Sequence, residues 1–98
     1  QDVTIARVAA SRIDAATAED FRAALAPAID GPGRRLRLDL GEVVFLDSSA
    51  LGVLVWLMKQ LGPERGLEIA GVGPRLWRIF ALTGTDRIFT ILGPDAGA

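Results

Sequence analysis

Asp47, Ser48 and Ser49 place a carboxylate and two hydroxyls in successive positions, between an apolar approach, Val43 to Leu46, and an apolar run, Ala50 to Met58. All three residue types accept hydrogen bonds from the orphan N–H groups that open a helix, so the plainest reading is an N-cap, worth about 1 kcal/mol. Ser49 is one candidate for the capping hydroxyl. The same location suits a regulatory phosphate, because helix N-terminal amides and the helix dipole favour anions. A phosphoserine adds about −1.5 to −2 charges. Placed there, it leaves the helix standing and alters a docking surface by charge, bulk and the cost of desolvation. Asp14 and Thr17 form a second polar pair, read either as a helix cap or as part of a surface beside the serines. Gly52 gives either room for close backbone approach or a packing position against a sheet.

Little else in the chain offers chemistry. Its 98 residues include no cysteine and no histidine. That removes thiolate nucleophiles, disulfides, Ser-His-Asp triads and imidazole metal sites. Carboxylates, Lys59, arginines and hydroxyls remain. Glu42 and Asp39 read as exposed surface rather than an acid–base pair, and Gly71-Val72-Gly73-Pro74 lacks the lysine and the spacing of a nucleotide loop. With 11 basic and 12 acidic residues the formal net charge is −1, so neither a nucleic-acid surface nor a strongly cationic membrane face is expected. Arg34, Arg35 and Arg37 read as a solvated strand face. The longest apolar stretch, Ala50 to Leu57, is about 8 residues, against roughly 20 for a membrane span. No charged-then-apolar leader opens the chain, so no signal peptide is visible; the expected location is the cytoplasm. The start at Gln1-Asp2, without Met, reads as a processed or trimmed piece, with a first strand possible before it.

The elements that must position the serines follow from periodicity. Val3 to Val8 alternates loosely and predicts a strand with Val3, Ile5 and Val8 apolar. Thr17 and Asp20 resemble a capping arrangement. Phe21, Leu25 and Ile29 recur at four-residue spacing, predicting an amphipathic helix over roughly 16–30, with Pro27 disturbing its last turn. Strict alternation in Arg35 to Leu40 predicts a strand burying Leu36, Leu38 and Leu40. After Asp47-Ser48-Ser49 a buried helix runs to Leu61-Gly62. Leu67 to Val72 reads as a strand. Pro74 opens a helix with Leu76, Ile79, Phe80 and Thr83 inward, stopped by Gly84. Ile88 to Leu92 reads as a last strand or helical turn. Trp56 and Trp77 are expected in the core. The alternation predicts one α/β domain over residues 1–98, a mixed β-sheet of about four strands with packed α-helices. Val53, Leu54, Leu57, Leu36, Leu38, Leu40, Phe21, Leu25, Ile69 and Phe80 are expected to share its core.

The run from Asp39-Leu40 through Val43-Val44-Phe45-Leu46 to Asp47-Ser48-Ser49-Ala50-Leu51-Gly52 resembles the core pattern of the STAS domain family, the sulfate-transporter and anti-sigma-factor-antagonist fold, with Ala50 where that family usually has Gly. Ile13-Asp14-Ala15-Ala16-Thr17-Ala18 is similar to the family's Leu-Asp-x-x-Thr-Ala, with Ser11-Arg12 ahead of it in place of Gly-Glu or Gly-Arg. Val72 to Gly84 is similar to its last main helix. The resemblance implies a regulatory binding module of the anti-sigma factor antagonist branch, with no catalysis and no cofactor of its own. It implies phosphorylation on Ser48, the serine directly after the Asp, and a partner surface of Asp14, Thr17, Asp47, Ser48, Ser49, Leu51 and Gly52. The implied partners are an anti-sigma factor that is also a serine protein kinase, released on phosphorylation, and a PP2C-type phosphatase that resets the switch. The alternative under the same resemblance is a STAS subunit or domain of a lipid-transport ATPase complex or an anion transporter.

Overall fold

Asp39, the last residue of one strand, and Leu40 beyond it lie at the middle of the sheet that carries the fold. In the structure, a computed structural model describing residues 2–93, the elements run β1 (Val3–Arg7), β2 (Arg12–Ile13), α1 (Ala18–Ile29), β3 (Arg35–Asp39), β4 (Phe45–Leu46), α2 (Ser48–Leu61), β5 (Gly66–Ala70), α3 (Pro74–Thr83), a 3₁₀ turn (Thr85–Arg87) and β6 (Thr90–Ile91). Gln1 and residues 94–98 of the expected 1–98 domain lie outside the described residues. The main sheet has four strands in the order β1-β3-β5-β6, and β2 pairs with β4 in a separate two-stranded ribbon. Every pairing among the described residues is parallel. The α/β class and the strand number are as expected; the parallel pairing follows from helices intervening between the strands, since a parallel neighbour needs a crossover.

Register decides the two faces of the sheet. Thr4, Leu36 and Leu67 lie side by side, as do Ala6, Leu38 and Ile69. Phe21 and Leu25 of α1, Leu54 and Leu57 of α2, and Leu76 and Phe80 of α3 join Leu36, Leu38, Leu40 and Ile69 in one buried cluster. All ten residues expected to share the core do so. The other face carries Ile5, Arg37 and Glu68 in one row and Arg7, Asp39 and Ala70 in the next. There Arg35 and Arg37 flank the Glu68 carboxylate at 2.9 and 3.1 Å. Arg35 and Arg37 therefore belong to a cross-strand ion-pair ladder rather than a plain solvated face, while Arg34 is exposed. Beside it, Arg7 holds Asp39 at 3.3 Å.

Five expectations need correcting. Ile5 is 60% exposed, because the inward parity of β1 belongs to Thr4 and Ala6. Trp77 is 45% exposed; Leu76 and Phe80, four apart, take the inward stripe of α3 and leave the next residue outside it. Trp56 is half-buried, with the Arg22 guanidinium 4.8 Å from its ring centroid. Thr17 does not cap α1 with its side chain, because its hydroxyl accepts from the Asp14 N–H at 3.1 Å instead. Thr83, expected inward, is exposed and back-bonds to the Ile79 carbonyl at 2.8 Å. Gly84 ends α3 at φ 76°, the left-handed conformation that glycine adopts at no steric cost.

Candidate functional site

The site is built where the small ribbon delivers two loops side by side. Arg12 pairs with Phe45 and Ile13 with Leu46, and the Val44 and Asp47 N–H groups donate to the Ser11 and Ile13 carbonyls at 2.8 and 3.2 Å. Ile13 and Leu46 point into the core, so the ribbon is anchored. The residues that follow each strand, Asp14 to Thr17 and Asp47 to Ser49, must then lie next to one another.

Asp47 joins them. Its backbone is extended, with φ −101° and ψ −173°, and it is the N-cap of α2. One carboxylate oxygen, Oδ1, accepts from the Ala50 N–H at 3.1 Å, and the other, Oδ2, accepts from the Ala15 N–H at 2.9 Å. The capping role falls to Asp47 and not to Ser49, because the carboxylate reaches the third residue ahead while the serines occupy the first two helical positions. Ser48 and Ser49 are both exposed, and Ser48 is the first residue of α2.

Asp14 organises the other loop. Its Oδ1 accepts from the Ala16 N–H at 3.1 Å, and its Oδ2 accepts from Arg12 Nε at 3.2 Å. The Arg12 side chain, aided by the Ala16 amide and the Thr17 hydroxyl, holds the Asp14 carboxyl below its ordinary value, against the opposing effect of desolvation. Arg12 also lies over the Phe45 ring, 4.3 Å from its centroid.

A hollow of about 270 Å³ opens beside Ser48, lined by Phe45, Asp47, Leu51, Ile79, Leu82 and Thr83 among others. Leu51 is largely buried, and its edge forms part of this hollow. Leu82 is 80% exposed. Gly52 faces open space, with nothing within 4 Å of where a Cβ would stand. Neither close approach within the chain nor packing against the sheet accounts for it.

All seven residues singled out in the sequence therefore fall on or beside the paired loops and the first turn of α2. Phe45, Ile79, Leu82 and Arg12 were not singled out. The alternation of Arg12 with Asp14 was the available signal for the last. Nothing local distinguished Leu82 from any other solvent-facing helical leucine. Among the described residues, no group of three or more His, Cys, Asp or Glu side chains is placed to hold a metal ion, and no helix is long and apolar enough to cross a membrane.

Comparison with known proteins identifies the family. The family described as "Mlab, STAS domain" matches residues 4–93. The anti-sigma-B factor antagonist of Listeria monocytogenes is 40% identical over 83 residues, covering 84% of this chain and 73% of that protein. The anti-sigma-B factor antagonist of Bacillus subtilis is 34% identical over 89 residues, covering 90% and 81%. The crystal structure of an anti-sigma factor antagonist from Mycobacterium paratuberculosis superposes with a TM-score of 0.80 at 31% identity, covering 92% of this chain and 76% of that one. The chain belongs to the STAS domain family.

Proposed function

We propose that this chain is an anti-sigma factor antagonist: a cytoplasmic binding module that holds a serine-kinase anti-sigma factor when Ser48 is unmodified and releases it when Ser48 is phosphorylated. The observation that carries the reading is the exposed Ser48 hydroxyl at the first position of α2, on the rim of an apolar hollow and flanked by a capped, anchored loop pair. The names of the relatives support the same role.

In the proposed reaction the kinase passes the γ-phosphoryl of ATP to Ser48 Oγ. A P–O bond forms to serine, the hydroxyl proton goes to a base of the kinase, and ADP leaves. Nucleotide and Mg²⁺ belong to the kinase, so the antagonist supplies a positioned hydroxyl and a surface. The product carries about −1.5 to −2 charges next to Asp47. The partner has to desolvate that charge or let go. Each 1.4 kcal/mol of lost binding lowers affinity about tenfold, and an uncompensated interfacial charge reaches several such steps. A PP2C-type phosphatase resets the state by hydrolysis. Gly52 fits this use: a bare spot on an exposed helix lets a partner approach the backbone.

The test incubates the protein with a serine-kinase anti-sigma factor from the same genome and Mg·ATP, read by intact mass and pull-down. Ser48→Ala keeps binding and takes no phosphate. Ser48→Asp weakens binding, but incompletely, since Asp carries about −1 where phosphoserine carries nearer −2. A phosphate on Ser49 or Thr17 instead of Ser48 overturns the assignment. Absence of phosphate together with retention by a permease–ATPase complex moves the function to transport assembly.

A further inference from the structure

We propose that Arg12 is the residue that receives the phosphate on Ser48, giving up its ion pair with Asp14 for one with the phosphoserine. The inference rests on the reading of Ser48 as the switch. Arg12 is fixed in register with Phe45, and its guanidinium stacks on the Phe45 ring at 4.3 Å from the centroid. That ring lines the same hollow as Asp47 and Ser48. The guanidinium thus lies against a ring that borders the hollow beside Ser48.

The present partner holds Arg12 loosely. The pair with Asp14 is made through Nε alone, at 3.2 Å, and the Arg12 side chain is 62% exposed. A guanidinium offers five N–H donors, and a phosphate engages two of them side by side with about twice the charge of a carboxylate. The charged groups on the paired loops are few. Arg12 and Asp14 come from β2 and the turn after it, and Asp47 comes from the α2 cap. From α3 the hollow receives Ile79, Leu82 and Thr83, none of them charged. Among these residues Arg12 is the one cation. Exchange makes and breaks no covalent bond. It leaves Asp14 without its arginine, so phosphorylation alters the surface at two points, Ser48 and the Asp14 turn.

The experiment installs phosphoserine at position 48 during translation and follows the phosphorus resonance against pH in wild type, Arg12→Gln and Arg12→Lys. A neighbouring cation favours the dianion and lowers the second phosphate pKa. Arg12→Gln therefore raises that pKa relative to wild type by about 0.2–0.7 of a pH unit, the size of an exposed ion pair. Arg12→Lys falls between the two. The Asp14 carboxyl resonance titrates at higher pH once Ser48 is phosphorylated in wild type, and shifts less in Arg12→Gln. Superimposed phosphorus curves for wild type and Arg12→Gln, or an Asp14 titration indifferent to the phosphate, overturn the proposal. Because the phosphate is installed rather than transferred, the result is independent of any kinase, and the incubation described above decides the switch itself.

Discussion

Two carboxylates with different duties set the chemistry at the scale of single residues. Asp47 binds two backbone amides, one in its own helix and one across the ribbon, so Asp47→Ala removes a cap and a tie together. It should lower stability by about 1–2 kcal/mol, measured by urea denaturation, and expose the Ala15 amide to hydrogen exchange. Ser49→Ala should be nearly silent in the same measurement, since Ser49 is not the cap. Asp14 behaves differently. Its folded pKa is depressed chiefly by Arg12, so its contribution is present above the ordinary carboxylate pKa of about 3.9 and lost as pH falls through the lower folded value. Carbon NMR of the Asp14 carboxyl should show that low titration, and Arg12→Gln should move it up. The Asp-Ser-Ser triplet was legible because hydroxyls and carboxylates before an apolar run have a specific use at a helix start. Which of the three caps was not legible, because the choice depends on how β4 delivers the chain to α2.

Helices and strands were legible wherever one period ruled. The Leu36-Leu38-Leu40 alternation and the Phe21-Leu25 spacing translate directly into buried positions. Leu54, fully buried in α2, should cost about 2–5 kcal/mol when cut to Ala, and a loss near zero in thermal unfolding would show that its packing is otherwise. Legibility failed where two parities compete in a short segment. Val3, Ile5 and Val8 cannot share one face of a strand, and Trp77 adjoins rather than occupies the inward stripe of α3. Gly52 offers a sharper element-scale measurement. It sits mid-helix and exposed, with open space around it, so Gly52→Ala should stabilise the fold by about 0.5–1 kcal/mol. If a partner's backbone approaches there, the same change lowers affinity in the pull-down. A gain in stability with binding unchanged would place the partner elsewhere on α2.

For the molecule as a whole, the alternation of strand and helix predicted the class, while the pairing order was beyond the sequence, because the leucines of β3 suit any neighbour with an apolar face. Cross-strand charge was equally hidden: Arg37 and Glu68 are far apart in the chain and meet through register alone. The parallel sheet has a kinetic consequence. Val3 pairs with Arg35 and Arg35 with Gly66, so no strand of the main sheet can zip onto its neighbour from a tight turn. Each pairing must close a long loop before it is rewarded, which places refolding on the order of milliseconds or slower. As the strand common to the two five-residue ladders, β3 should belong to the rate-limiting nucleus. Leu38→Ala should then slow refolding in stopped-flow experiments, while Phe80→Ala, outside the ladders, mainly speeds unfolding.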